Sequence, residues 1–443
     1  MPVAAETHKP TMSSHFEEIR LRNQDLTNKL LSLTGSEPVP VSEPGPATPP
    51  QQADAIVAHI EINDHHGVGV LLRRLFGESP NILSIRSKNF YGGRQDFGAM
   101  DVRISHDTVS RDMVMWRVLE ALAGATVRRL LVAPYFADDA LNALALKQAF
   151  GVPLCTFLMD DQNLYSDGIP DGVMDELLRE SSLRLAISPE MCAAYEAKYG
   201  LKMWFMPPLA PTRLIPRRLN ELSDRALREK QPIILGNIWG QQWLASLRST
   251  VRGTGVTLQW YNNGEFRWLS CSKEELVRDG IVPQEGQPEP DDTFVETLRQ
   301  APYVVLPSGT LEESDDRRFI AQLSFPSRIP YILATSHAPI LVLGNPQTAA
   351  ARIVTRLGIG TVAPYGRAEF LEAAGRMTQP EGNRAMRRAA FLLSLRFADL
   401  GASEWIWQSL EKGEPVDGRY EEMLPELSSG PISTMPGRAN RLH

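Results

Sequence analysis

PLCTFLMDDQNLYSDGIPDGVMDELLRESSLRLAISPEMCAAYEAKYG, residues 153–200, sets the fold class. CTFLM is a continuous apolar run, the pattern of a strand buried on both faces. Residues 171–181 read as helix, LRLAIS (183–188) returns to strand, and 189–199 is helical again. Ser188 stands there as N-cap, with Pro189 in the first turn. Strand and helix in alternation imply a parallel sheet covered on both faces.

The same alternation extends both ways. Upstream, IVAHIEI (56–62), NILSIR (81–86) and RRLLVAPY (128–135) read as strands, with helices expected at 109–124 and 137–150. Downstream, MWFMPPLAPTRLIPRRL (203–219) carries four prolines and no period, and reads as an interdomain connection. A second series follows: PIILGNIW (232–239), GVTLQWY (255–261), APYVVLP (301–307), APILVLG (338–344) and GIGTVA (358–363). Helices are expected between them at 239–252, 292–300, 326–336, 346–357 and 366–377, and a last helical region at 381–412. The predicted fold is α/β, two tandem doubly wound domains over 54–215 and 216–390, with a C-terminal helix at 391–412.

The flanks differ. Six prolines between Pro38 and Pro50 mark 34–53 as an extended linker, and 413–443, polar and rich in Gly, Pro and Ser, as a flexible tail. Ahead of the linker, Phe16, Ile19, Asn23, Leu26, Leu30 and Leu33 form a heptad-like stripe within an amphipathic helix at 1–33. An Asn in such a stripe fixes register in a parallel homodimer; a helix lying on the body is the other reading.

Over 443 residues, 43% hydrophobic and 22% charged, the chain can bury a sizeable core, which excludes disordered, collagen-like and disulfide-scaffold classes. No run of about 18 apolar residues predicts a membrane span. A net charge of −7 argues against nucleic acid as partner. Cys155, Cys192 and Cys271 lie too far apart for a metal-ligand pair, and with no secretory signal in Met1–Pro10 the expected location is the reducing cytoplasm.

In open parallel sheets ligands bind beyond the carboxyl ends of strands. Five strand–turn–helix junctions lie there. Asn63-Asp64-His65-His66-Gly67-Val68-Gly69 enters a helix, and Gly67 and Gly69 let backbone N–H groups approach an anion; an ordinary tight turn is the alternative. Asp160 and Asp161 follow a buried strand, where a carboxylate can orient a hydroxyl or act as base, although one of the two can simply cap a turn. Ser188 is accounted for by capping. Arg317 and Arg318 precede Ser324-Phe325-Pro326-Ser327-Arg328, a helix start sized for a phosphate. Gly344-Asn345-Pro346 leads to Thr348 at another helix start.

At these residues the chain resembles a known family. SFPSRIPYILATSHAPILVLGNPQTAAARIV (324–354) resembles the donor-side segment of retaining glycosyltransferases of the family-four type. HHGVGVLLRRLF (65–76) is similar to their amino-terminal glycine loop, and RLAISPEMCAAYEAKYG (184–200) to the segment before their domain linker. The resemblance spans 54–412 and implies a GT-B fold, two Rossmann-like domains facing across a cleft. It further implies a nucleotide-diphosphate sugar bound by the second domain and an acceptor (a glycan, lipid or small molecule) entering from the first. No metal and no cofactor is expected, because basic residues and helix dipoles would neutralise the leaving diphosphate as the sugar passes through an oxocarbenium-like state. Asp160 and Asp161, standing where a histidine–aspartate pair is usual, are then the candidate catalytic residues. Gly67, Gly69, Arg317, Arg318, Ser324, Ser327, Arg328, Tyr331 and Thr348 are the candidate donor-binding residues. The sequence departs from the pattern at further places, Arg328 standing for the usual lysine. Leu323 and Tyr331 replace a pair of glutamates, and Asn237 and Gln241 stand where an Arg/Lys pair is expected. A sugar-nucleotide epimerase of the same fold, and a catalytically weak nucleotide-sugar-binding or scaffold protein, are the alternative readings. Peripheral contact with a membrane would fall to Arg73-Arg74, with a solvated helix face as the plainer reading of that pair.

Overall fold

Residues 52–423 are described in the computed structural model, apart from 94–95, 107–109, 123, 263–269 and 285–290. The expected helix at 1–33 with its homodimer, most of the expected linker and residues 424–443 of the expected tail lie outside the described residues.

The first domain is built on β1 (Gln52–Ala58), β2 (Ile82–Arg86), β3 (Met100–Arg103), β4 (Thr126–Val132), β5 (Leu154–Leu158), β6 (Leu183–Ala186) and β7 (Trp204–Phe205). They pair in the order β3-β2-β1-β4-β5-β6-β7, every pair parallel. The second domain carries β8 (Ile233–Leu235), β9 (Leu258–Tyr261), β10 (Ile281–Pro283), β11 (Val304–Pro307), β12 (Ile340–Leu343) and β13 (Gly360–Ala363), in the order β10-β9-β8-β11-β12-β13, also parallel throughout. In each sheet the strand order reverses once, between β1 and β4 and between β8 and β11. Such a switch point leaves a crevice beyond the carboxyl ends. The inner strands β5, β11 and β12 are buried at every residue, as their unbroken apolar runs require.

Several boundaries differ from the sequence reading. β1 starts at Gln52, inside the expected linker, and stops at Ala58, so His59–Ile62 belong to the loop above the sheet. β3, β7 and β10 are edge or short strands that the apolar pattern does not announce. The Pro-rich connection is not a bare tether: Met203, Phe205, Met206, Leu209 and Ala210 are buried. The final helical region is two helices, Pro380–Leu393 and Ala402–Lys412. Between them the chain crosses back, Ala398 bridging Ala210 while Asp399 Oδ1 accepts from the Thr212 amide (2.9 Å) and hydroxyl (2.5 Å).

Helix 402–412 therefore packs on the first domain. Trp407 lies 5.1 Å from Phe76, and the Arg129 guanidinium sits 4.4 Å over the Trp407 ring. The expected flexible tail is corrected over 413–423, which docks. Tyr420 packs edge-on against Trp405 at 4.7 Å, Met423 is buried, and a Glu421 oxygen accepts from Phe205 N (2.8 Å). The last contact satisfies an amide of edge strand β7 that no further strand covers.

Candidate active site

Above the β1/β4 switch point His59 leaves the strand and stacks on Tyr135, which follows β4, with ring centroids 4.0 Å apart. The His59 ring is buried, and its Nδ1 has no partner among the described residues. Burial, with His66 nearby, lowers its pKa from 6.5 to about 3, against the opposing pull of Glu61. The ring is neutral at any physiological pH.

The loop that follows is fixed by its own polar groups. The His66 ring caps helix Gly67–Phe76: Nδ1 accepts from Gly69 N (3.2 Å), so Nε2 carries the proton and donates to Glu61 O (2.8 Å). Gly69 is required by space, since a Cβ there would lie 2.3 Å from Asn63 O. The buried Glu61 carboxylate accepts from Phe90 N (2.8 Å), Tyr91 N (3.0 Å) and Gly93 N (2.6 Å). Burial would raise its pKa, but these three donors outweigh it and hold the group below the usual range. Glu61 thus ties loop 87–93 to the glycine loop.

Gly67 faces the other domain. A Cβ on it would lie 3.5 Å from Ser327 Oγ, at the start of helix Arg328–Ser336. Beside it Ser324 donates to Asp160 Oδ1 (3.2 Å), and Tyr135 donates its hydroxyl to Asp160 Oδ2. Asp160 therefore joins the two domains at the carboxyl end of β5. Burial raises its pKa, and the two hydroxyl donors only partly offset this.

Arg328 is the cation of the cleft. Its guanidinium lies against Gly236, whose φ of +79° turns the chain sharply after β8, and donates to Leu235 O (2.6 Å) and Asn237 O (2.8 Å). No carboxylate pairs with it among the described residues, and burial lowers its pKa to about 10. Asn237 Oδ1, on the same turn, is buried without a partner. A half-buried charge without a counter-ion among the described residues marks a place where an anion would be stabilised.

The remaining sequence candidates resolve as follows. Asp161 is turned into its own loop, where its carboxylate accepts from Asn163 N (3.1 Å), Leu164 N (2.8 Å), Tyr165 N (2.9 Å) and the Tyr195 hydroxyl (3.0 Å). Four donors leave it a loop-holding part rather than a catalytic one. Tyr331 is buried under the Arg74 guanidinium of the first domain, 5.4 Å from its ring. Thr348 is fully buried and its hydroxyl caps helix Ala349–Arg356, accepting from Ala351 N (3.3 Å). Gly69 is packed against its own loop rather than a ligand. Arg317 is exposed beside Asp316, 4.0 Å away, whose other bond is to Gln241 N (3.2 Å) at the next helix start. Arg318 lies over the Phe319 ring, which stacks on Tyr165 at 4.0 Å, so it sits at the seam between domains. Arg73 and Arg74 do not form a free basic pair: Arg73 meets Asp64 and Asp96, and Arg74 donates to Leu209 O.

Sequence reasoning missed His59, Tyr135 and the interdomain contacts of Ser188 and Glu190. Ser188 caps its helix and also donates to Leu323 O, and Glu190 meets Arg352 at 3.2 Å. Only the position of each after a strand could have marked it. Among the described residues no group of three His, Cys, Asp or Glu is arranged to hold a metal ion.

No protein-family model and no curated protein matches the sequence. Solved structures match it in shape. Sucrose-phosphate synthase from Thermosynechococcus elongatus superposes with a TM-score of 0.56 at 12% identity, covering 81% of this chain and 99% of that one. HepE from Anabaena, in complex with UDP, gives 0.56 at 14%, covering 81% and 100%. The fold is GT-B. A UDP-N-acetylglucosamine 2-epimerase gives 0.52 at 11%, covering 83% and 98%, so the shared GT-B fold is common to transfer and to epimerisation. Identity this low carries the architecture alone.

Proposed function

We propose that the protein is a glycosyltransferase that moves a sugar from a nucleotide-diphosphate sugar to an acceptor, with retention of configuration. The observation that carries this reading is Arg328, a half-buried guanidinium with no carboxylate partner among the described residues, set at a helix start in the interdomain cleft beside Asn237 Oδ1, which also lacks a partner there. A diphosphate placed there would supply the missing negative charge. Charge grows on that group as the sugar–phosphate bond loosens, so a fixed cation stabilises the transition state more than the ground state. The start of helix 328–336, at Ser327, adds its dipole. Asp160, held by Tyr135 and Ser324, stands where it can accept from a sugar or acceptor hydroxyl, and the glycine loop at Gly67 closes the opposite wall. Uridine nucleotides are the first donors to try, since HepE was solved with UDP.

The test is a panel of nucleotide-diphosphate sugars, read by thermal shift and by nucleotide release, on the protein and on Arg328→Ala. Transfer needs a donor whose binding Arg328→Ala removes and whose nucleotide is released faster with an acceptor present. Interconversion of the donor sugar without acceptor would assign the protein to epimerisation instead. The absence of any shift with every donor would refute both readings.

A further inference from the structure

Away from the cleft, the turn that returns the chain to the first domain exposes three leucines. Leu392, Leu395 and Leu400 are 69%, 72% and 74% exposed, the highest values for large hydrophobic side chains among the described residues. They lie within nine residues of sequence: Leu392 near the end of helix 380–393, Leu395 in the 3-10 turn 394–397 that follows, and Leu400 after Leu395 O accepts from Ala398 N (3.3 Å). Single exposed leucines are ordinary; three within nine residues of one chain reversal are not.

The charge around the patch is reversed relative to the rest of the chain. From Gly382 to Ala398 there are four arginines and no carboxylate, in a chain of net charge −7. Arg387 is buried and Arg396 half-buried, which leaves Arg384 and Arg388 exposed. Arg384 reaches Glu221 at 3.7 Å, while Arg388 is exposed and has no ion-pair partner among the described residues. Arg384, Arg388 and Leu392 follow one another at spacings of four, so they share one face of helix 380–393, and Leu395 follows in the next turn. Apolar side chains flanked by arginines on one face fit an anionic bilayer surface, where leucines enter the acyl boundary and arginines meet the headgroups.

We infer that the 384–400 face docks the protein on anionic membrane surfaces. The inference stands apart from the donor site.

Flotation of the full chain with vesicles decides it. Vesicles of phosphatidylcholine with roughly 30 mol% phosphatidylglycerol should carry the protein, and pure phosphatidylcholine should not. The triple variant Leu392→Ser/Leu395→Ser/Leu400→Ser should bind roughly ten-fold more weakly, and Arg388→Glu should weaken binding and reduce its salt dependence. All four positions are exposed, so melting temperature should not change, and thermal denaturation controls for fold. Binding that the triple variant leaves intact would place the contact elsewhere and overturn the proposal. So would a failure to bind either vesicle, or a dimer in solution that the triple variant dissociates.

Discussion

Acid should destabilise this protein through two buried histidines, and the size of the effect follows from their surroundings. His59 has a pKa near 3 because burial and His66 disfavour its charged form, with Glu61 opposing. His337 is fully buried, accepts from Asn220 N through Nδ1 (3.2 Å), and is lowered to about 4 by burial and by Arg387 and Arg299. Both titrate at 6.5 when unfolded. Between the folded and unfolded values the unfolded chain binds more protons, so stability rises with pH. It is complete above the unfolded value and is lost as pH falls toward the folded one. At about pH 5 each histidine that must stay neutral costs about 2 kcal/mol, and the pair about 4 kcal/mol, a large part of a typical domain's stability. The perturbation is His59→Phe, which keeps an aromatic ring on Tyr135 and removes the titration. Urea unfolding followed by tryptophan fluorescence at about pH 7.5 and about pH 5 gives the two stabilities. The variant should show about 2 kcal/mol less loss between the two than the parent. An equal loss in both would refute the neutral, buried assignment of His59.

Other outcomes follow from single contacts. Gly69→Ala drives a methyl into the Asn63 backbone and should lower stability by roughly 1–3 kcal/mol, read as a reduced urea midpoint. Arg352→Met strands Glu190, whose partner it is at 3.2 Å, and should cost about 3 kcal/mol, while Arg352→Met with Glu190→Leu should recover most of that loss in thermal denaturation. Asp160→Asn can no longer accept from both Tyr135 and Ser324; kcat on the donor identified by the panel should fall by roughly 100-fold, and the lost interdomain bond should also lower the melting temperature.

The architecture was legible in the sequence where strands are buried on both faces. CTFLM and APILVLG cannot be amphipathic, and their spacing by helices leaves few alternatives to a parallel sheet. Met100–Arg103 and Trp204–Phe205 were not legible, because an edge strand carries polar residues or only two residues of pairing. The same limit governs the site. Glycine loops and helix starts are local patterns, so Gly67, Ser324, Ser327 and Arg328 could be singled out, and the structure sets Gly67 beside Ser327. Which carboxylate of Asp160-Asp161 faces the other domain depends on a loop folded around Asp161, a tertiary fact. Tyr331 and Thr348 share helices with residues that do face the cleft, and sequence spacing alone did not show that packing and capping consume them. His59 and Tyr135 become neighbours only when β1 and β4 pair.

The central claim rests on a cation waiting for a diphosphate. Isothermal titration of UDP into the protein and into Arg328→Met measures it directly. The account predicts binding by the parent and a loss of roughly 30-fold or more in the variant, about 2 kcal/mol for one charge-assisted contact. Equal affinity for both proteins would contradict it.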